Sequence, residues 1–238
     1  MTTTSAAPAA AARRQQSGPP LLLPAVAFAA LMVVSIVLSR QTPLPTDSAA
    51  DTLAYYRDHE TAARVAGTLQ FGASLPLAVW AAIAYQRLRK LGVTAPGPGI
   101  ALVAGVLSAV SMATCGLTVW AASRAGGLGD APLVRSLTDI LFAFGGPGHV
   151  VPFGVMLAGV AVPMLLLGFG PKGFAWTGLV LAGIGVLGTL ALLSTSLGFF
   201  LPIGRFGGLI WLIAASVILP RQRPRRTAAY EADGVEAV

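Results

Sequence analysis

Six stretches of this chain stay apolar for about the ~20 residues that a helix needs to cross the ~30 Å hydrocarbon layer of a bilayer. They are Leu21–Leu38, Val65–Tyr85, Gly99–Trp120, His149–Gly168, Gly173–Ser196 and Phe199–Leu219. In hydrocarbon no water completes the bonds of an open strand or loop, and the alternation of a membrane barrel is missing, which leaves helices. Only 11% of the residues are charged, against about a quarter in a soluble domain. The expected fold is all-α: a polytopic membrane helix bundle with six transmembrane helices over residues 21–220.

The punctuation agrees with these spans. Pro96-Gly97-Pro98 separates the second and third, and Gly170-Pro171-Lys172-Gly173 makes a short hairpin between the fourth and fifth. Residues 1–20 read as a disordered cytoplasmic tail and 221–238 as a second one. Arg13 and Arg14 precede the first span as in a signal peptide, but no small-x-small cleavage site follows it, so the helix is expected to be retained.

Charge sets the orientation. With the N-terminus inside, Arg13, Arg14, Arg87, Arg89, Lys90, Lys172, Arg221, Arg223, Arg225 and Arg226 fall in the cytoplasm, and six arginines fall outside, mostly among acids. That bias places both termini in the cytoplasm of a cell (plasma) membrane. The net charge of +7 flanks apolar runs and forms no basic-aromatic patch, so no nucleic-acid partner is expected. Cys115 is the only cysteine, which excludes an intrachain disulfide or a cysteine zinc cluster. It reads as a small buried helix residue.

Two segments are neither spans nor simple loops. In Pro132–Phe144, Leu133, Leu137, Ile140, Leu141 and Phe144 recur at helical spacing, with Arg135 and Asp139 four apart opposite them. This predicts an amphipathic helix lying along the outer membrane surface without crossing, ended by Gly145-Gly146-Pro147-Gly148. The second outer-face helix, about Ser48–Ala63, carries Asp51, Tyr55, Tyr56, Arg57, Asp58, His59 and Glu60. An outer segment, an inward span and a returning span thus occur twice, at about 48–120 and 133–196, suggesting an internal duplication.

Charges within a bilayer are costly and point to function first. Arg205 lies near the outer start of the last span beside Pro202 and Gly204, which can open the helix. It reads as an anion or counter-ion site, or as an arginine that snorkels to headgroups or is tied to Asp139. His149 follows the Gly-Pro-Gly break, where a helix N-terminus favours an anion, or it is simply a helix-entry residue bonded to a carbonyl. With Arg205, His149 and Asp139, the outer residues Tyr56, His59 and Glu60 complete the candidate ligand-binding set. The stripes Gln70/Ser74, Ser108/Ser111/Cys115/Thr118 and Gly178/Ala182/Gly185/Thr189 read as packing faces. No cofactor, metal site or catalytic residue is expected, since neither HExxH nor a second histidine one turn away is present.

Enzymatic readings fare poorly. Gly72-Ala73-Ser74 with His149 follows the order of a rhomboid protease, but Leu75 stands where glycine should follow, and only Gln70 is available for an oxyanion hole. A terpene cyclase needs acids projecting into the bundle, and the spans contain no Asp or Glu.

The runs Tyr55-Tyr56-Arg57-Asp58-His59, Gly146-Pro147-Gly148-His149 and Phe200-Leu201-Pro202-Ile203-Gly204-Arg205-Phe206-Gly207-Gly208-Leu209-Ile210-Trp211-Leu212-Ile213 resemble a family of uncharacterised bacterial multi-pass membrane proteins, catalogued as a domain of unknown function. The resemblance covers about residues 21–222. It implies a single bundle in the bacterial inner membrane and supplies no substrate or catalytic residue. The expected function is binding of a lipid, small-molecule ligand or protein partner at the outer face of a lipid-embedded bundle. The alternative is a small transporter or an accessory subunit of a membrane complex.

Overall fold

The computed structural model describes residues 20–220, and the expected tails fall outside the described residues. The fold is all-α, without a strand among the described residues. The helices are α1 (Leu22–Leu38), α2 (Ala49–Asp58), α3 (Glu60–Lys90), α4 (Gly97–Gly126), α5 (Ala131–Gly145), α6 (Pro147–Leu167) and α7 (Lys172–Leu187). A tightened 3-10 stretch, Gly188–Leu192, follows α7. The last rod combines α8 (Phe200–Pro202), a π-helical turn (Ile203–Gly207) and α9 (Gly208–Ile218).

Five helical stretches are long and apolar enough to cross a membrane: α3, α4, the broken pair Ala131–Leu167, Lys172–Leu192 and Thr195–Ile218. The first expected span, α1, is a shorter apolar helix of 17 residues. Burial is inverted relative to a water-soluble core. Leu75 and Val103 are 61% exposed and Leu166 75%, while Ala25, Ala73, Ala81 and Ala101 are fully buried. Large apolar side chains point outward because lipid is as good a solvent for them as protein, and small ones let helix backbones meet.

Backbone contact is closest between α3 and α4. A Cβ on Gly116 would sit 2.5 Å from the Phe71 nitrogen and 2.6 Å from the Gly67 oxygen. Hydrogen bonds tie the rest. Ser35 Oγ donates to the Ala66 carbonyl (2.9 Å), Trp80 Nε1 to Ser216 Oγ (2.8 Å) and Trp211 Nε1 to the Phe174 carbonyl (2.9 Å).

α5 and α6 run together antiparallel to α4. Ser108 meets His149, Cys115 bonds to Leu141, and Ala122 packs with Val134. At 30 residues, α4 is ~45 Å long, beyond what the hydrocarbon requires, and α5 stands upright beside its C-terminal half instead of lying along the membrane surface as expected. The expected α5 helix exists, capped by Asp130, whose side chain accepts from the Leu133 nitrogen at 3.0 Å. The expected pair is also present, Arg135 Nη2 to Asp139 Oδ1 at 3.2 Å. The protein-facing side of α5 is narrow and small. Val134, Thr138 and Gly145 are buried, whereas Leu133, Ile140 and Phe144 are about two-fifths exposed. The small face packs on α4 and the large apolar face turns outward, by the same inversion. Arg135 also holds the α1–α2 loop, donating to the carbonyls of Leu44, Pro45 and Asp47.

The segment expected over Ser48–Ala63 divides at His59. Ser48 caps α2, accepting from the Asp51 nitrogen at 3.1 Å and donating to its carboxylate at 2.6 Å. Residues after His59 already belong to α3. Tyr56 is the wedge that joins α2 to the bundle, 1% exposed and packed with Ala63, Ala122, Ala125 and Val134. Its hydroxyl lies beside Thr138 without forming a hydrogen bond. Burial pushes the phenol above the usual tyrosine range. A raised phenol contributes stability that is complete below pH ~10 and is lost as pH rises beyond it. Unfolding temperatures measured from pH 8 to 12 should fall along an alkaline limb that Tyr56→Phe flattens. The same variant should be neutral or up to about 1 kcal/mol stabilising at pH 7, because it removes an unsatisfied buried hydroxyl. An unchanged alkaline limb in Tyr56→Phe would contradict this account.

The two ends differ in charge. One gathers Arg87, Arg89, Lys90 and Lys172, with Arg87 Nη1 donating to the Leu219 carbonyl at 3.3 Å. Asp47, Asp51, Asp58, Glu60, Asp130 and Asp139, all the acids among the described residues, lie at the other.

Candidate functional site

A polar centre forms where α5 breaks into α6. Pro147 has no N–H to continue the helix, and Gly146 turns the chain with ψ −107°. Close approach demands glycine here. A Cβ on Gly145 would lie 2.5 Å from Cys115 Sγ, and one on Gly146 2.6 Å from the Phe142 oxygen. The break exposes the last carbonyls of α5 at its negative end.

The π-turn of the last rod supplies what faces them. Gly204 packs so tightly that a Cβ there would meet Val150 Cγ1 at 2.9 Å and Gly185 Cα at 3.1 Å. The following residue, Arg205, reaches across and donates from Nη2 to the Gly145 carbonyl. Single π-turns of this kind recur at functional positions in helices. Arg205 makes no ion pair among the described residues, and its buried Nε has no hydrogen-bond partner there.

His149 sits in the first turn of α6, 1% exposed. Its Nδ1 lies 2.7 Å from Ser108 Oγ, and Ser108 Oγ donates to the His149 carbonyl at 3.0 Å. Phe153 stacks on the imidazole at 5.4 Å and Phe28 flanks it at 6.4 Å. Nε2 is buried without a partner among the described residues. Cys115 Sγ accepts from Gln70 Nε2 at 3.2 Å and donates to the Leu141 carbonyl at 3.3 Å. Arg205 comes to the same joint as His149 through its bond to the Gly145 carbonyl and through Gly204 packed on Val150.

No family model matches this chain, and no curated protein or solved structure is similar to it. Its chemistry is therefore read from the residues alone.

The six candidates separate. Arg205 and His149 share the polar centre. Asp139 is exposed and paired with Arg135, so the arrangement in which it ties Arg205 is not formed. Tyr56 is a packing wedge. His59 and Glu60 line an open surface recess with Leu38, Arg57, Asp58 and Val65. There His59 stacks on Tyr55 at 4.8 Å, its Nδ1 3.1 Å from the Tyr55 carbonyl, and Glu60 pairs with Arg64 at 2.5 Å. No group of three or more potential metal ligands occurs among the described residues.

Gln70, Ser108 and Cys115 were legible only as packing stripes, and they furnish the walls of the centre. The serine that meets His149 is Ser108, while Ser74 Oγ is spent on the Phe71 carbonyl of its own helix at 2.6 Å. Ser108 and His149 form a hydrogen-bonded pair, but both are sealed from solvent at 0 and 1% exposure. The pair thus joins α4 to α6.

Proposed function

We propose that this chain is a multi-pass protein of the bacterial plasma membrane, with both termini cytoplasmic, that binds an anionic group at the Arg205–His149 centre from the outer side. The carrying observation is the Arg205 guanidinium, held inside the bundle with one carbonyl acceptor, no ion pair among the described residues and an unpartnered Nε. A buried charge in that condition is strongly disfavoured without an anion. A carboxylate or phosphate oxygen supplies the missing acceptor, and the N-terminus of α6 adds a favourable dipole. The shared chemistry suits a lipid headgroup or a small solute. The orientation rests on the basic end, whose lysines and arginines belong in the cytoplasm.

Thermal unfolding in a neutral detergent tests the binding, with phosphatidylglycerol, inorganic phosphate and acetate as separate probes. At least one probe should raise the unfolding temperature of the native chain by several degrees, and Arg205→Gln should abolish that rise. No rise with any probe, or an equal rise in Arg205→Gln, counts against the centre. Orientation has its own test in intact cells. Ser136→Cys should react with an impermeant maleimide and Lys172→Cys should not, and the reverse pattern would invert the topology.

One observation favours transport as a second reading. A broken helix and a π-turn meet at a charged centre inside the bundle, as in carriers whose discontinuous helices hold a substrate. Probe-dependent phosphate or acetate flux into liposomes carrying the protein would favour it over simple binding.

A further inference from the structure

A recess of about 560 Å³ begins at the basic end, at the α3–α4 linker, and runs along α6 and α7 as far as Val155 and Val186. The α3–α4 linker (Gly92 to Pro96), the start of α4, one side of α6 and α7 enclose it. Its walls are apolar: Ile100, Val155, Val162, Leu166, Leu179 and Val186. It exists because α6 separates α4 from α7 and because the floor is made of small residues. Gly183 faces open space, with no atom within 4 Å of where its Cβ would stand.

Three features specify the occupant. The helices around the recess are those long and apolar enough to cross a membrane, so hydrocarbon and not water lies against it. Along α6 its lining runs from Val155 to Leu167, a rise of ~18 Å at 1.5 Å per residue, close to one leaflet's half of the ~30 Å hydrocarbon. At its basic end stands a cation. Arg89 Nη1 donates to the carbonyl of Val93, a wall residue, at 3.1 Å. Arg89 is exposed and makes no ion pair among the described residues, and no described acid lies at that end.

We propose that the recess holds one acyl chain of an anionic phospholipid from the leaflet at the basic end, with the lipid phosphate at Arg89. The slot supplies depth for the chain, and the tethered guanidinium supplies charge where the chain emerges. This site is independent of the Arg205 centre, and substitutions there leave it untouched.

The test is native mass spectrometry of the full chain released from detergent after incubation with equimolar phosphatidylglycerol and phosphatidylcholine. The native chain should retain one phosphatidylglycerol in preference to phosphatidylcholine. Gly183→Phe, which fills the slot, should reduce retention about tenfold, equivalent to ~1.4 kcal/mol. Gly173→Phe serves as control, because Gly173 also faces open space but lies outside the recess. Arg89→Gln should keep a lipid and lose the preference for the anionic headgroup. Equal retention in Gly183→Phe and Gly173→Phe, or an unchanged preference in Arg89→Gln, overturns the proposal. Since Arg89 is exposed, its variant keeps the test decisive should Gly183→Phe fail to fold.

Discussion

Gly116→Ala is expected to lower the stability of the bundle by about 2–3 kcal/mol, and Gly116→Leu by more, measured by denaturant unfolding in detergent. Overpacking a tight interior costs about 1–3 kcal/mol when neighbouring side chains can shift. Here every close neighbour of the added Cβ is backbone: the Phe71 nitrogen at 2.5 Å, the Gly67 oxygen at 2.6 Å and Phe71 Cα at 3.0 Å. No rotamer change relieves these contacts, so α3 and α4 must separate. Gly99 lies on the same helix with nothing within 4 Å of its would-be Cβ. Gly99→Ala should therefore be neutral, or gain up to ~1 kcal/mol from helix propensity. A Gly116→Ala protein as stable as Gly99→Ala would show that the glycine contact between α3 and α4 does not hold the fold.

The second large effect concerns Arg205. Replacing it with Met keeps the length of the stem and removes the donor to the Gly145 carbonyl. A hydrogen bond from a charged donor contributes about 1.5–3 kcal/mol, and an orphaned carbonyl adds to the loss. Arg205→Met should thus cost about 2–3 kcal/mol when an anion occupies the centre, and less in lipid-free detergent, where relief of the uncompensated buried charge offsets the lost bond. Asp139→Asn breaks only its exposed pair with Arg135 and should cost less than ~1 kcal/mol. The double variant should equal the sum within ~0.5 kcal/mol, because the two side chains serve different partners. Coupling well above that would mean that Asp139 reaches Arg205 in solution, and would remove the case for a mobile anion.

Much of the architecture was readable from the chain because hydrocarbon length is a blunt and strong constraint. The break at Gly145–Gly148, the α5 helix and the Arg135–Asp139 pair all appear where spacing placed them. The protein-facing side of α5 was not legible, since helical spacing marks the large apolar residues, and those face lipid. Leu133 and Phe144 face out for that reason, and Thr138 faces in. Helix lengths also escaped. Hydropathy saw about twenty residues of α3 and α4, and their outer turns are polar enough to look like loops while continuing as helix. In the site, a charge and a histidine in apolar runs were conspicuous. Their meeting depended on a π-turn and on Gly204 packing at Gly185, which leave no periodic trace. Ser108 and Gln70 looked like ordinary small-residue stripes because the bonds they make cross between helices far apart in sequence.

Cys115 offers a natural gauge of motion in this protein. Its thiol is buried, wedged where α5 ends and bonded to Gln70 and Leu141. A membrane-permeant maleimide can reach it only when the α5–α6 joint lifts from α4. The rate of alkylation in unmodified membranes therefore counts openings of the polar centre. Occupancy by any ligand that bridges Arg205 to that joint should register as a slower reaction, with no label engineered into the chain.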